Sequence, residues 1–361
     1  MTMRYFFLLL LLPVAACKPQ NPVPPLTAPG ASSATVQAAP VVTPYRPTPG
    51  KINGLTFVAP PEPFVQDPMP AVREVGASWI AVVPYAFTPP GSAAVRFGKH
   101  QWWGESPAGA AETIRQAHAA GLKVMLKPQV WIPRHWTGAL DFDTDAEWEQ
   151  WERDYEQYIL TFAAIAASAG TDLFCIGTEF RTAIEKRPWF WTKLIRKVRG
   201  LYAGKITYSS NWDDWDKVPF WSELDYIGLG GYFPLVEGNT PDVEALRTAW
   251  KPLCKRLQEF SGQQGKPILV TEFGYLSVDG AGWRNWELEQ GIKGRIINQL
   301  AQSNCYEALF STFQHQSWWA GGFLWKWFPN MSGHEGYPER DYTPQGKIGE
   351  KTLRKWYGGK E

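Results

Sequence analysis

Two similar stretches of the sequence, Cys175–Phe180 (CIGTEF) and Leu269–Tyr275 (LVTEFGY), give the clearest indication of the fold. Each is an apolar run that ends in Thr-Glu-Phe, which predicts a buried strand with a glutamate at its carboxyl end. The two glutamates, Glu179 and Glu272, are 93 residues apart. That interval holds three strand–helix units of about 31 residues, the unit size of an eight-fold β/α barrel of about 250 residues. The spacing predicts that the two glutamates lie on the fourth and seventh barrel strands and face each other across the mouth of the barrel.

Short apolar runs alternate with helical patterns over residues 51–361, which predicts one α/β domain, a (β/α)8 TIM barrel. The predicted strands are Gly54–Val58, Ser78–Pro84, Leu122–Val130, Leu173–Thr178, Lys205–Ser209, Leu224–Gly230, Pro267–Glu272 and Gly322–Trp327. The predicted helices are Pro107–Ala120, Ala146–Ala169, Trp189–Tyr202, Val243–Phe260 and Gly291–His315, with only a short helix in Asp213–Glu223.

Two local patterns refine this prediction. Thr144 and Glu147 have the spacing of a capping box, which predicts the start of the long helix Ala146–Ala169. Strict alternation along the seventh strand predicts that Ile268, Val270 and Glu272 all point into the barrel.

The first 50 residues predict a leader and a linker. Arg4 and the apolar run Tyr5–Leu12 are typical of a secretory signal. The end of this segment, Leu12–Cys17 (LPVAAC), resembles a bacterial lipobox, so we expect residues 1–17 to be a lipoprotein signal peptide with Cys17 lipidated; the alternative is ordinary cleavage before a chance cysteine. Residues 18–50, rich in Pro and Ala, predict a disordered linker. We therefore expect a protein of the bacterial cell envelope, periplasmic or surface-facing, that contacts the membrane only through this lipid.

Composition narrows the class of protein. Lys and Arg number 36 against 35 Asp and Glu, so the net charge of +1 argues against a nucleic-acid partner. The 20 tryptophans suit flat contacts with sugar rings, although most must serve the core. Cys175, Cys254 and Cys305 allow at most one disulfide, and Cys175 is expected to be buried in its strand. No cysteine–histidine pattern indicates a metal site, so we expect neither metal nor organic cofactor, and a monomer.

Aromatic and amide side chains follow most predicted strands, and the carboxyl ends of parallel barrel strands share one rim. The candidates for contact with a sugar chain are Trp131, His135, Thr178, Asn211, Trp212, Tyr232, Trp325 and Trp327. For His135 a bond to a sugar hydroxyl and simple packing beside Trp136 are both open.

Paired carboxyl groups across a cleft are the catalytic groups of a glycosidase. One must be protonated to release the leaving oxygen, and the other must be ionised to attack or to activate water; in a retaining enzyme the two carboxyl groups lie about 5–5.5 Å apart. We assign Glu179 as acid/base and Glu272 as nucleophile; the alternative for each is a strand-end carboxylate in a salt bridge.

Two groups of aspartates are weaker candidates for a functional site. Asp141, Asp143 and Asp145 alternate as calcium ligands might, but they lack the glycine and distal glutamate of a calcium loop. Three further aspartates, Asp213, Asp214 and Asp216, fit a solvated loop or a substrate contact.

The sequence resembles the clan A retaining glycoside hydrolases and, within them, glycoside hydrolase family 113, whose members are mainly β-mannanases. The resemblance rests on LKPQVW (Leu126–Trp131), IGTEF (Ile176–Phe180), SSNW (Ser209–Trp212), GYF (Gly231–Phe233), VTEFGY (Val270–Tyr275) and GFLWKWFP (Gly322–Pro329). It implies the same roles for Glu179 and Glu272, a hydrogen bond from Tyr232 to the nucleophile, and a sugar platform at Trp325 or else Trp327. Thr178 stands where much of the clan has an asparagine that contacts the sugar 2-hydroxyl.

The expected function is hydrolysis of β-linked hexose polymers or oligomers with retention, most directly of β-1,4-mannan or glucomannan. The alternatives are a β-glucanase or β-mannosidase, transglycosylation with the same residues, and a non-catalytic carbohydrate-binding lipoprotein.

Overall fold

The computed structural model describes residues 50–98 and 101–359. The predicted signal peptide, Cys17 and nearly all of the predicted linker lie outside these residues. The strands are β1 Ile52–Phe57, β2 Trp79–Val82, β3 Tyr85–Phe87, β4 Lys123–Leu126, β5 Gln129–Trp131, β6 Leu173–Thr178, β7 Lys205–Ser210, β8 Ile227–Gly230, β9 Ile268–Phe273 and β10 Trp319–Trp327.

Eight of these strands form a closed parallel barrel, in the order β1-β2-β4-β6-β7-β8-β9-β10 and back to β1. The fold prediction is confirmed, and β6 and β9 are the fourth and seventh barrel strands. The predicted third strand, Leu122–Val130, is divided into β4 and β5, because Pro128 has no N–H to continue the ladder. β5 pairs instead with β3 in a separate two-stranded parallel sheet.

The α-helices are α1 Met69–Glu74, α2 Pro107–Ala119, α3 Asp145–Ser168, α4 Arg181–Lys186, α5 Pro188–Leu201, α6 Val243–Gln264, α7 Asn285–Leu288, α8 Gln299–Phe313 and α9 Ile348–Tyr357. The capping box at Thr144 is present, and β7 and β8 are joined by the 3₁₀ turns Trp215–Lys217 and Trp221–Glu223. The helix predicted from Gly291 begins only at Gln299, because Gly291 has a left-handed φ of 73° and Asn298 caps the helix.

The core has two layers. A small cluster fills the barrel interior, formed by Ile52, Ala81, Val83, Met125, Leu173, Cys175, Leu269 and Phe323. A larger cluster lies between the strands and the surrounding helices. In that layer Trp151 stacks on Tyr155 with ring centroids 4.8 Å apart, and both side chains are fully buried. Such rings account for many of the tryptophans as core residues.

The alternation predicted for the seventh strand is wrong, because β9 carries a β-bulge. Ile268 and Val270 belong to the outer layer and Leu269 to the barrel interior. Between Val270 and Phe273, β9 has one residue more than the paired segment of β10, and the register with β8 shifts at the same place. A bulge of this kind re-aims the side chain that follows it. β6 has a matching bulge against β7 between Cys175 and Thr178, so a bulge precedes each of the two glutamates.

Candidate active site

Glu272, near the end of β9, has hydrogen-bond donors at both carboxylate oxygens. Lys127 Nζ donates to Oε2 at 2.5 Å, and Tyr232 OH donates to Oε1 at 2.6 Å. Gln129 Nε2 lies 3.5 Å from Oε2. The Lys127 side chain is completely buried and that of Glu272 is 16% exposed. Since a buried charge requires a partner, this ion pair fixes both groups. The carboxylate is therefore held rigidly at the mouth of the barrel.

Glu179 follows β6 in an unusual backbone conformation. Its φ is 60°, in the left-handed region that side-chain-bearing residues rarely adopt. Its N–H donates to the carbonyl of Ser209 and its own carbonyl accepts from the N–H of Arg181, both at 2.8 Å. Trp136 Nε1 donates to Glu179 Oε2 at 2.6 Å. Strained backbone of this kind concentrates at functional sites, where the surrounding structure holds it in place.

Arg181 supports the tryptophan that contacts Glu179. Its guanidinium lies 4.6 Å from the centre of the Trp136 ring. The same guanidinium donates to Asp214 Oδ2 at 2.8 Å and pairs with Asp213. Asp214 is buried rather than solvated. Two of the three aspartates that follow β7 thus hold Arg181, and Arg181 holds Trp136.

The environment of Glu179 favours its protonated form. Burial raises the pKa of Glu179 to about 7, and the charges of Glu272 and Asp214 act in the same direction. The hydrogen bond from Trp136 and the charge of Lys127 act in the opposite direction and limit the rise. A carboxyl group with a pKa near neutrality can both donate and accept a proton during a reaction.

The wall beside Glu272 is aromatic. Tyr232 packs with Trp325 and Tyr342 in one cluster, and the Tyr232 and Tyr342 rings meet edge to face at 6.1 Å. Burial raises the pKa of Tyr232 well above its ordinary value, as does the charge of Glu272, so the phenol stays a hydrogen-bond donor. Trp325 is half-buried and Trp131 is 58% exposed.

The other residues that were predicted to contact the sugar chain differ in burial and in their hydrogen-bond or stacking partners. Asn211 and Trp212 follow β7; Asn211 Nδ2 donates to Asp213 at 2.9 Å, and Trp212 stacks on Trp286 at 5.6 Å. Thr178 is the last residue of β6 and is half-buried. For Trp327 the prediction of a sugar contact is wrong, because its side chain is 3% exposed and belongs to the core between the strands and the helices.

Sequence reasoning missed four residues of the site. Lys127 and Gln129 were part of the LKPQVW motif but were not assigned a role, although a lysine inside an apolar strand is a signal of a buried ion pair. Trp136, and not the neighbouring His135, contacts Glu179, while His135 is exposed. Nothing in the sequence around Arg181 indicated a role in the site, because its partners come from a different loop.

Other polar groups have structural partners. Asp141 pairs with Lys186, Asp145 with Arg187, and His118 with Asp172. Among the described residues, no group of three or more His, Cys, Asp or Glu could hold a metal ion. Cys175, Cys254 and Cys305 are free thiols, and Cys175 is buried as predicted. None of the helices that the structure describes is long and apolar enough to span a bilayer.

A closed parallel barrel that brings an ion-paired carboxylate and a carboxyl group of raised pKa together at its mouth is typical of a glycoside hydrolase. The chain belongs to Glycoside Hydrolase Family 113, whose profile matches residues 62–347. No curated protein matches the sequence significantly.

Solved structures of the same family are similar to this chain. The β-mannanase AaManA from Alicyclobacillus acidocaldarius, in complex with ManMIm, is 27% identical with a TM-score of 0.74, over 86% of this chain and 97% of that one. A β-1,4-mannanase of the family, also solved as a complex, is 26% identical with a TM-score of 0.73, over 86% and 99%. A Ruminococcus gnavus β-glucuronidase shares only the fold, with 11% identity and a TM-score of 0.59 over 85% and 50%.

Proposed function

We propose that the protein is a retaining β-mannanase in which Glu272 is the nucleophile and Glu179 the general acid/base. The observation that carries these roles is the contrast between the two carboxyl groups. Glu272 is ion-paired with Lys127, as an attacking carboxylate must be charged. Burial raises the pKa of Glu179 to about 7, as a proton donor at neutral pH requires.

The reaction then proceeds by two displacements. Glu272 Oε attacks the anomeric carbon while Glu179 gives its proton to the glycosidic oxygen, so the leaving sugar departs with a hydroxyl group and a glycosyl ester forms. Glu179, now ionised, takes a proton from water, whose oxygen attacks the anomeric carbon and releases Glu272. Tyr232 and Lys127 keep the attacking carboxylate in one orientation.

The preferred substrate is β-1,4-mannan or glucomannan. Support comes from the two family members named above, which are a β-mannanase and a β-1,4-mannanase and align over 86% of this chain. The aromatic groups Trp131, Trp212 and Trp325 at the rim suit the flat faces of successive sugar units.

The test is incubation with a panel of β-mannans and β-glucans, with sizing of the products and with Glu272→Gln as the inactive control. We expect oligosaccharides of several lengths from mannan, none from the control, and the β-anomer as the first product by proton NMR. Release of single mannose units only would show that the enzyme acts from the chain end. Preference for a β-glucan would contradict the proposed substrate. Binding of mannan without release of reducing ends would contradict catalysis.

We further propose that Cys17 is lipidated and holds the enzyme in the bacterial cell envelope, with residues 18–50 as a flexible tether. This proposal is supported by the lipobox-like Leu12–Cys17 and the Pro/Ala-rich composition that follows it. Palmitate labelling of the full chain in a bacterial host should be lost in Cys17→Ala. Labelling that persists in this variant would contradict the anchor.

A further inference from the structure

Three side chains from different loops form a continuous chain of contacts next to Glu272. Tyr232 follows β8, Glu289 follows β9, and Tyr342 follows β10. Tyr232 OH contacts Glu272 Oε1 at 2.6 Å, its ring packs on Tyr342, and Tyr342 OH donates to Glu289 Oε1 at 2.6 Å. A third carboxyl group therefore lies in the same wall as the nucleophile.

The Tyr342 phenol is rigidly placed, whereas Glu289 is exposed. Tyr342 is 5% exposed and packs with Leu276, Val278 and Ile292. Glu289 directly follows α7, and its backbone N–H donates to the carbonyl of Asn285. The buried tyrosine thus fixes one oxygen of an exposed carboxylate beside the cleft.

Glu289 has no ion-pair partner among the residues that the structure describes. The nearby ammonium of Lys326 is bound to Asp341 at 3.2 Å and to Glu335 at 3.3 Å. The charges of Asp341 and Glu272 repel the charge of Glu289, whereas the hydrogen bond from Tyr342 and the charge of Lys326 stabilise it. A carboxylate in such a position gains from any hydroxyl donor that approaches its second oxygen.

We propose that Glu289 is a substrate-binding residue that accepts hydrogen bonds from hydroxyl groups of the neutral hexose unit seated on Trp325, and that Tyr342 is its positioning residue. The proposal rests on the proposed function, because it names a contact to the same sugar chain. Trp325 belongs to the same aromatic cluster as Tyr232 and Tyr342. A ring lying on its face would present its hydroxyl edge to the neighbouring wall, where Glu289 supplies the acceptor.

The test uses β-1,4-mannotetraose and four single variants. Glu289→Ala should lower kcat/KM about 10–100-fold, as expected for loss of a hydrogen bond to a charged group. Glu289→Gln keeps a neutral acceptor and should lose about 3–10-fold, and Tyr342→Phe a similar factor. Glu287→Ala is the matched control: it removes a glutamate two residues away that pairs with Arg284 and should stay within about twofold of the wild type.

Two further measurements separate binding from structure. In the Glu272→Gln background, titration calorimetry should show weaker binding of mannotetraose when Glu289→Ala is added. Tyr342→Phe should have little additional effect once Glu289 is absent, because a positioning residue acts only through the group it positions. Independent losses from the two substitutions would show that Tyr342 does not act through Glu289.

The inference is overturned if Glu289→Ala keeps wild-type kcat/KM and affinity with an unchanged melting temperature, or if Glu287→Ala loses as much as Glu289→Ala. Failure of the proposed function would give a different result. If the proposed function were wrong, the wild type itself would not cleave β-mannan, and the inference about Glu289 would fall with it.

Discussion

The two glutamates stand in the same local sequence, Thr-Glu-Phe, yet their surroundings differ in almost every respect. Glu272 is held by an ammonium and a phenol, with donors at both oxygens. Glu179 accepts a hydrogen bond from the neutral indole of Trp136 and has a strained backbone conformation. The groups that make this difference come from other strands and loops. The comparison teaches that the strand motif places a carboxyl group at the mouth, whereas distant partners determine its charge and therefore its role.

Removing the nucleophile should have the largest effect. We expect Glu272→Gln to lower kcat on mannan by more than about 10⁴-fold, because no intermediate can form. Glu272→Ala should in addition unfold more readily, since the buried Lys127 ammonium loses its partner at a cost of about 3–5 kcal/mol. Hydrolysis assays and urea denaturation measure both effects. Turnover within tenfold of the wild type would contradict the role of Glu272.

Removing the acid should give a smaller and more selective loss. Glu179→Ala should reduce hydrolysis of mannan by about 10²–10⁴-fold, the range of general acid catalysis. A dinitrophenyl β-mannoside carries a leaving group that needs no proton, so its first step should proceed at close to the wild-type rate. Burst kinetics with this substrate provide the measurement. An equal loss on both substrates would show that Glu179 is not the proton donor.

Lys127, which directly follows β4, should matter more for activity than the exposed Lys123 at the start of that strand. Lys127→Met removes the ion pair with Glu272, and we expect kcat/KM to fall about 10–100-fold. Lys123→Met is the matched control, because Lys123 is exposed at the start of β4 and should stay near wild-type activity. If both variants were equally active, Lys127 would have no part in holding the nucleophile.

The smallest expected effect concerns pH. Burial raises the pKa of Glu179 to about 7, and the acid must be protonated, so kcat/KM should decline as the pH rises above about 7. The bond from Trp136 stabilises the ionised form of Glu179 and so lowers its pKa; Trp136→Phe should therefore move the alkaline limb to higher pH. Trp189→Phe, which changes an exposed ring on α5, should leave the profile in place. A shift toward lower pH in Trp136→Phe would contradict this account.

Sequence periodicity predicted the barrel and the strands that carry the two glutamates, because apolar runs and strand–helix spacing are local properties of the chain. It could not predict the bulges in β6 and β9, since a bulge depends on register between neighbouring strands. The alternation argument for Ile268 and Val270 failed for that reason. The glutamates nevertheless reach the mouth, because the extra residue in each strand re-aims the chain just before them.

The partners of the glutamates were harder to predict than the glutamates themselves. Tyr232 followed from the family resemblance, whereas Lys127 and Trp136 come from other parts of the chain and meet their partners only in the folded barrel. Trp325 and Trp327 illustrate the same limit. Both lie near the end of β10, and only the structure shows that Trp325 packs on the same cluster as Tyr232 while Trp327 is buried in the core.

A 2-deoxy-2-fluoro-β-mannobiosyl fluoride should trap the glycosyl ester, because its good leaving group permits the first displacement and its fluorine slows the second. Digestion of the trapped protein and mass spectrometry of the peptides then locate the modified residue. The geometry predicts one added mannobiosyl group, on the peptide that contains Glu272 and on no other. A label on Glu179, or a protein that turns the reagent over with inversion and without a label, would contradict the assignment of the two carboxyl groups.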